Sequence, residues 1–379
     1  MNGPGITLSL GLGKALTSPA PKFIAEALQT VVVTQSDTSP TGFQLVFHAD
    51  RTKQLSQDYA LLSSPLLAPS NRVTVTVTLN GTPHTLMDGF ITNQELSHSQ
   101  EFGPATLTVT GEDVSVLMDL YEYPLEYPAM GDAAIVALVL GKYSMIGIIP
   151  EIMPTPSDLV SLPVDRVPQQ NSTDRAYLKY LACPYGYLFH VKPGPVAATN
   201  IAYWGPPSRI GSPQPALTVG MGPATNVESI NFNYNALDPY LVHGMVQDDT
   251  ADSDLPVATL NSTRIPLSSR PALLANKPFI RNLQFTDPRF GIVEALVEAQ
   301  SMTNVSADQV VTVQGQLDTI RYGNILNAPG LVGMRGVGNS YDGTYYVKSV
   351  THRLSRGSYK QKFTLTRSGT GSLVTHVTP

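Results

Sequence analysis

Cysteine is nearly absent from this sequence. Cys183 is the only one, which excludes an internal disulfide and any metal site built from several cysteines. It precedes Pro184 at the end of a predicted helix, and no basic or histidine partner is evident in the local sequence. These surroundings favour a buried, small apolar side chain over a nucleophile.

Charge is also scarce. Only 14% of the residues are Asp, Glu, Lys or Arg, against about 25% in an average globular chain. The net charge of -5 gives no broad attraction for nucleic acid or anionic lipid. Because 42% of the residues are hydrophobic, the chain is not intrinsically disordered. Its surface is therefore expected to be made of Ser, Thr, Asn and Gln, or to face other subunits.

Long hydrophobic runs are missing too. The longest, Ala133–Leu140, is less than half of the roughly 20 residues that span a bilayer. The N-terminal residues have no basic segment ahead of their apolar part, so they do not read as a signal peptide. These features predict a chain that does not enter a membrane by itself and is cytoplasmic at synthesis.

Strand patterns dominate both ends of the chain. Valine or leucine alternates with threonine from Val73 to Leu79, a period of two in β-branched residues. Asn80-Gly81 follows, a preferred pair for a tight type I′ turn. Near the other end, residues 343–354 and 362–366 read as a second pair of strands.

Helical patterns fall mainly between these regions. Thr173 precedes an amphipathic segment that carries Tyr177, Tyr180 and Leu181 at helical spacing. Further on, Asp287-Pro288 has the form of a helix start, and the spacing predicts that Ile292 and Leu296 face inward.

The fold class predicted from these patterns is mainly β with an α+β insertion: two similar barrel-like β domains flanking a small mixed α/β domain. In chain order the prediction is an N-terminal arm (1–22), a first β-barrel domain (23–120), a mixed α/β middle domain (121–222), a second β-barrel domain (223–370) with a loop excursion at 247–280, and a C-terminal tail (371–379).

The two β domains carry an internal echo. Asp88-Gly89 is followed by His98, and Asp342-Gly343 is followed at the same spacing by His352. In each copy these residues belong to a strand, a loop and a second alternating strand. The echo predicts a duplicated β unit; two unrelated hairpins are the alternative.

The sequence contains no complete motif for a catalytic, metal-binding or phosphate-binding site among those considered below. The acidic run from Asp248 to Asp254 lacks the glycine and the closing glutamate of a calcium loop, and Gly11-Leu-Gly-Lys lacks the first glycine and the hydroxyl of a phosphate loop. The basic stretch Arg353–Lys362 is read as an outward strand face; contact with nucleic acid passing through a channel is the alternative. We therefore predict no catalytic, cofactor-binding or metal-binding residues, and a protein that is not an enzyme. A groove for polysaccharide, or a pair of catalytic carboxylates acting on cell wall, is the alternative from another class.

Three segments carry a resemblance to a known family. Met87–Leu96, the strand at 106–110 with its Gly-Glu-Asp, and Tyr341–His352 look like the phage late control D protein family, as does the middle segment 172–182 with 185–190. That family includes the baseplate hubs of contractile tails and the N-terminal hub portion of VgrG spike proteins. The resemblance spans about residues 31–367, and the order of the segments carries it.

The resemblance implies a structural role. It implies paired tail-tube-type barrels in a homotrimer that adapts a sixfold inner tube to a threefold spike. About a dozen residues follow Arg367, so the spike is expected to be a separate protein. The implied partners are the tail tube protein, the spike, baseplate wedge or sheath-adjacent components and the tape measure protein. The implied location is a virion tail baseplate or an injection particle assembled in the bacterial host cytoplasm.

Overall fold

A computed structural model describes residues 2–3, 5–49, 59–98, 105–156, 167–248, 253–286 and 291–374. Strands account for 48% of the chain and helices for 20%. The predicted fold class, mainly β with two similar β units around a mixed α/β region, is confirmed. None of the helices in the described ranges is both long and apolar enough to cross a membrane.

The N-terminal part forms the first β unit and an arm beside it. The arm contains β1 (Asn2–Gly3), β2 (Ile6–Gly13) and β3 (Ser18–Pro19), followed by helix α1 (Lys22–Ala27). The first unit contains β4 (Leu28–Ser36), β5 (Gly42–Ala49), β6 (Arg72–Leu79), β7 (Thr82–Ser97) and β8 (Ala105–Asp113).

The alternation of valine and threonine in β6 places the two residue types on opposite faces of the strand, as predicted. Val73, Val75 and Val77 are fully buried, whereas the threonines between them are partly exposed. Asn80 and Gly81 both have positive φ, 51° and 85°, as a type I′ turn requires. The turn directs β7 back along β6 and so fixes which face of the hairpin enters the core.

The arm is an edge strand of the first unit. β2 runs antiparallel to β6, with Leu10 opposite Val75 and Leu12 opposite Val73. Leu10 and Leu12 are buried in the core of that unit. A Cβ at Gly11 would lie 2.2 Å from Thr74 Oγ1, so glycine allows the close approach of the two strands. This part of the predicted N-terminal arm is therefore a strand of the first unit's sheet.

The middle region is a small α/β body with its own core. Its elements are β9 (Glu122–Glu126), α2 (Asp132–Gly141), β10 (Ile148–Ile152), β11 (Gln169–Thr173), α3 (Asp174–Ala182), β12 (Leu188–Pro193) and β13 (Asn200–Gly205). The strand that follows, β14 (Gln214–Thr218), pairs in parallel with residues 332–335 of the second β unit. The Thr173 side chain caps α3 by accepting from the backbone N–H of Ala176 at 3.3 Å. Trp204 is fully buried, and its indole N–H donates to the carbonyl of Leu178 at 3.1 Å.

The second β unit is interrupted after its first strand. That strand is β15 (Val227–Tyr234), and an insertion follows with β16 (Tyr240–Asp248), β17 (Ser253–Ala258), β18 (Arg270–Pro271), α4 (Ala272–Ala275), β19 (Arg281–Phe285) and α5 (Ile292–Asp308). The unit resumes with β20 (Val311–Asp318), α6 (Thr319–Tyr322), β21 (Gly330–Arg335), β22 (Gly343–Ser355), β23 (Ser358–Arg367) and β24 (Gly369–Thr370).

The insertion differs from the loop excursion predicted at 247–280. It contains a three-stranded sheet in the order β17-β16-β19, and α5 packs against that sheet. Asp287 and Pro288 lie outside the described residues. The prediction that Leu296 faces inward was wrong: it is 40% exposed, whereas Ala295 and Ala299 are fully buried. Small side chains on this face let the helix lie close to the strands.

A buried charge cluster ties the insertion to the middle region. Arg209 and Arg264 both pair with Asp308 on α5. Arg264 also donates to the carbonyl of Gly186 at 2.6 Å. Burial lowers the pKa of each guanidinium to about 10. The insertion is therefore fixed against the middle region by polar contacts.

Candidate assembly interface

The two β units have the same strand order. The first unit is arranged β6-β7-β8-β5-β4 and the second β21-β22-β23-β20-β15. When the five strands of each unit are numbered in chain order, without the insertion, both units have the order 3-4-5-2-1 across the sheet. Each neighbouring pair is antiparallel. Unrelated hairpins would not be expected to share this arrangement.

The units also share the positions of two β-bulges. In the first strands, the ladder skips one residue between Leu28 and Thr30 of β4, and one between Val227 and Ser229 of β15. In the fourth strands, it skips Thr92 of β7 and Lys348 of β22. A bulge is a specific local feature that inserts one unpaired residue. Two bulges in common indicate the same ladder built twice.

The registers between these bulges agree as well. Starting just after the bulge of the fourth strand, the pairs run across the sheet as Asn93–Thr110–Gln44–Val32 in the first unit and Ser349–Thr364–Gln314–Asn231 in the second. Val32 lies four residues after Leu28, and Asn231 lies four residues after Val227. The duplication therefore extends to single residues.

The sequence echo is out of phase with this structural repeat. The bulge residue Thr92 lies four positions after Asp88, whereas Lys348 lies six positions after Asp342. The echoed residues are thus displaced by two positions along the ladder. His352 matches Leu96 in the structural repeat, and His98 matches Leu354.

Asp88 holds the first unit to the middle region. Its carboxylate accepts two hydrogen bonds from the buried guanidinium of Arg72, from Nε at 2.6 Å and from Nη2 at 2.7 Å. Asn200 Nδ2 donates to the same carboxylate at 3.0 Å. Arg72 also donates to the carbonyls of Ala15 in the arm and Ala198 in the middle region. One buried ion pair therefore joins three parts of the chain.

Asp342 and Gly343 have a different role from Asp88 and Gly89. Asp342 Oδ1 accepts from the N–H of Val337 at 2.8 Å, and its carbonyl accepts from buried Arg367 at 2.9 Å. Gly343 has φ of 126°, which few other residues adopt. A Cβ at Gly89, in contrast, would lie 2.0 Å from the carbonyl oxygen of Glu112. The echoed glycines meet different constraints.

The two echoed histidines lie in opposite environments. His98 is exposed just past the end of β7. His352 is fully buried, with Nδ1 at 2.9 Å from the Tyr359 hydroxyl and 3.1 Å from Gln361 Nε2. Burial lowers the pKa of His352 to about 3. The folded protein therefore holds this ring in its neutral form.

The two units join into one sheet through β4 and β22. Residues 349–355 of β22 pair antiparallel with residues 36–30 of β4. Beside this ladder the Asp37 N–H donates to the carbonyl of Lys348 at 3.1 Å. Arg356 donates to the carbonyl of Glu26 at 2.8 Å. Burial raises the pKa of Asp37, and the nearby Lys348 opposes this effect.

One face of the joined sheet is mainly polar, and its exposed cations, Arg353 and Lys362, lie toward the turn between β22 and β23. On β4, Val31 and Val33 point into the core, while Thr30, Thr34 and Ser36 lie on the other face. The neighbouring strands continue this pattern with hydroxyl and amide side chains: Gln44, Thr106, Thr108, Thr110, Thr312, Gln314, Gln316, Ser349 and Thr351. Hydroxyl and amide side chains therefore make up most of this extended surface.

Within the described ranges, no group of three or more His, Cys, Asp or Glu side chains could hold a metal ion. Cys183 is exposed, so the prediction of a buried side chain was wrong. It begins a short 3-10 turn, Cys183–Tyr185, after α3.

Solved structures share this fold. A tail protein from Neisseria meningitidis aligns with 14% identity and a TM-score of 0.61, covering 96% of this chain and 97% of that one. The 43 kDa tail protein of prophage MuSo2 from Shewanella oneidensis aligns with 13% identity and a TM-score of 0.64, covering 96% and 98%.

A third similar structure comes from a secretion machine. It is an Escherichia coli component of the type VI secretion system that resembles the bacteriophage T4 tail proteins gp27 and gp5. It aligns with 12% identity and a TM-score of 0.53, covering 90% of this chain and 73% of that one. No family model and no curated protein matches the chain. The chain therefore has a fold found in phage tail and type VI secretion proteins.

The ion pair of Arg72 and Asp88 gives a stability prediction. Arg72→Leu leaves the Asp88 carboxylate buried without its main partner, which lowers the free energy of unfolding by about 3–5 kcal/mol. Denaturant unfolding measures the loss. The double variant Arg72→Leu/Asp88→Leu should be more stable than the single variant, because no charge is then left unpaired. Equal losses in the two variants would contradict this account.

His352 gives a prediction about pH. Its folded pKa lies below the ordinary value, so between about pH 6 and pH 4 the unfolded chain binds a proton that the folded chain excludes. Each such histidine lowers the free energy of unfolding by about 1.4 kcal/mol per pH unit as the pH falls. His352→Gln should flatten this dependence, measured by denaturant unfolding at several pH values. His98→Asn, at an exposed position, is the control; the same slope in all three proteins would sink the prediction.

Proposed function

We propose that this protein is the central hub of a contractile phage tail or injection-system baseplate, where a homotrimer adapts a sixfold inner tube to a threefold spike. The observation that carries the proposal is the repeated ladder with its shared bulges. Three copies of a chain with two equivalent units present six such units around one axis. Closed rotational symmetry of this kind is the usual form of a homo-oligomer.

The joined sheet supports a ring-shaped assembly. Eight consecutive strands, from β7 across the junction to β15, form an unbroken path within each chain. Its mainly polar face, whose cations Arg353, Lys360 and Lys362 are gathered near one end, suits the wall of a channel. A wall with many cations would bind phosphate-rich cargo more strongly with each contact, whereas hydroxyl and amide groups let cargo pass.

The parts that are not duplicated lie together, which supports a direction for the adaptor. Thr41 and Asp113 exchange hydrogen bonds, Asp113 N–H to Thr41 O at 2.9 Å and Thr41 N–H to Asp113 Oδ2 at 2.6 Å. The middle region leaves the first unit at Asp113. The insertion leaves β15 after Tyr234. In the structural repeat Tyr234 matches Gln35, which lies just before the turn at residues 37–41, the turn that contains Thr41. Both regions therefore leave their units at the same end of the sheet.

Each non-duplicated region occurs three times in a trimer, and each β unit occurs six times. We place the threefold spike at the end that carries the insertion and the middle region. The tube protein belongs at the opposite end, near the hairpin turn at Arg356-Gly357. Baseplate wedge or sheath-adjacent components and the tape measure protein are further proposed partners, in a virion tail or injection particle assembled in the bacterial host cytoplasm.

The proposed role is structural and not enzymatic. Two of the proteins that share the fold are named as tail proteins and one as a component of a secretion system. A separately folded catalytic activity is not needed for the adaptor to work, because the match between a ring of six units and a threefold partner is geometric.

Light scattering tests the trimer directly. The chain has a mass of 40.7 kDa, so the hub is expected at three times this value. Electron microscopy of the same sample should show six similar lobes in projection, with additional features repeated three times. A monomer at every concentration would contradict the hub, and a monomer that binds or cleaves cell-wall polysaccharide would favour the alternative function.

A further inference from the structure

The two units join where β22 pairs with β4. The strands that match these two in the other unit, β7 and β15, have edges that are not fully paired. Within the chain, the second half of β22 lies between β23 and β4. The matching half of β7 pairs with β8, and from Asn93 onward it has no strand partner on its other side among the described residues. β15, which matches β4, pairs among the described residues with β20 alone.

Burial shows what the open edge of β15 lacks. In β4, the core-facing side chains of Val31, Val33 and Gln35 are all buried. Their matches in β15 are only partly buried: Ile230, Phe232 and Tyr234. The same positions of one ladder are thus covered in the first unit and partly uncovered in the second.

The open edge of β7 shows the same deficit. In β22, Val350, His352 and Leu354 are buried. Their matches in β7 are Gln94, which is half-buried, Leu96, which is 37% exposed, and His98, which is exposed. Both open edges therefore present core-facing positions to solvent.

We propose that β15 of one copy pairs antiparallel with the second half of β7 in a neighbouring copy, in the register that β4 and β22 use within the chain. This inference rests on the proposed trimer and specifies its contacts. Transferring the internal register gives these pairs: Asn93 with Asn235, Gln94 with Tyr234, Glu95 with Asn233, Leu96 with Phe232, Ser97 with Asn231 and His98 with Ile230.

The chemistry of the two edges fits a second copy of this chain. The pairing places Leu96 beside Phe232 on the core side, where the internal junction has His352 beside Val33. On the other side, Glu95, Ser97, Asn231 and Asn233 remain on the polar face. Main-chain hydrogen bonds supply the remaining contacts, as in other cases of strand addition at a sheet edge.

Disulfide trapping tests the register. Ser97→Cys and Asn231→Cys are combined in a Cys183→Ser background, which removes the only native thiol. Within one chain these positions are seven strand-to-strand steps apart, about 34 Å along the sheet. A disulfide needs Cα atoms within about 7 Å, so a bond between them must join two copies.

The matched control is Asn93→Cys with Asn231→Cys, four residues out of register, or about 14 Å along the strand. After oxidation, the first variant should give at least tenfold more covalent trimer on a denaturing gel than the control. Equal trapping, or more in the control, while light scattering still shows a trimer would overturn the register and leave the hub intact. A monomeric Cys183→Ser protein would instead contradict the hub itself.

A second measurement does not depend on disulfide formation. Phe232→Asp places a charge at the centre of the proposed contact and should weaken the trimer at least tenfold, measured by the concentration at which light scattering detects dissociation. Thr312→Asp, on the polar face of the neighbouring strand β20, is the control and should leave the trimer unchanged. Equal effects of the two substitutions would overturn the proposed contact.

Discussion

Pairing between β4 and the second half of β22 determines how the rest of the molecule is arranged. This ladder places the two units side by side with one strand order and one direction. Because the strands of a sheet are about 4.8 Å apart, the register of this junction also fixes where each later strand lies. Among the residues that the structure describes, the second half of β7 and β15 each form one half of the same junction and have no strand partner on the other side.

The low charge of the chain has a physical explanation in this sheet. A core-facing side accounts for the valines and leucines, and the opposite side is covered by threonine, serine, asparagine and glutamine. Charged side chains occur there mainly near one end, such as Lys360, which pairs with Glu228 at 2.8 Å. Away from that end, a surface of hydroxyl and amide groups stays hydrated and avoids strong ionic contacts.

The sequence was informative wherever local rules apply. Alternation over Val73–Leu79 and the Asn80-Gly81 turn predicted a hairpin, and Thr173 predicted a helix start, because these depend on neighbours in the chain. Long-range packing decided the other outcomes. Leu296 is partly exposed since the helix approaches its sheet through Ala295 and Ala299. The sequence echo suggested the duplicated unit but not the residue matches, because hydrogen-bond ladders and bulges, which identities do not reveal, determine the register.

The insertion and the middle region are attached at places that leave the shared strand order intact. The insertion occupies a turn between two strands, where the first unit needs only residues 37–41, and the middle region connects the end of β8 to the start of β15. An insertion within a strand would shift every later pair and move core side chains to the other face. At a turn, the same length of chain adds contacts outside the sheet. A duplicated unit can therefore gain additional structure outside the sheet while its strand ladder stays the same.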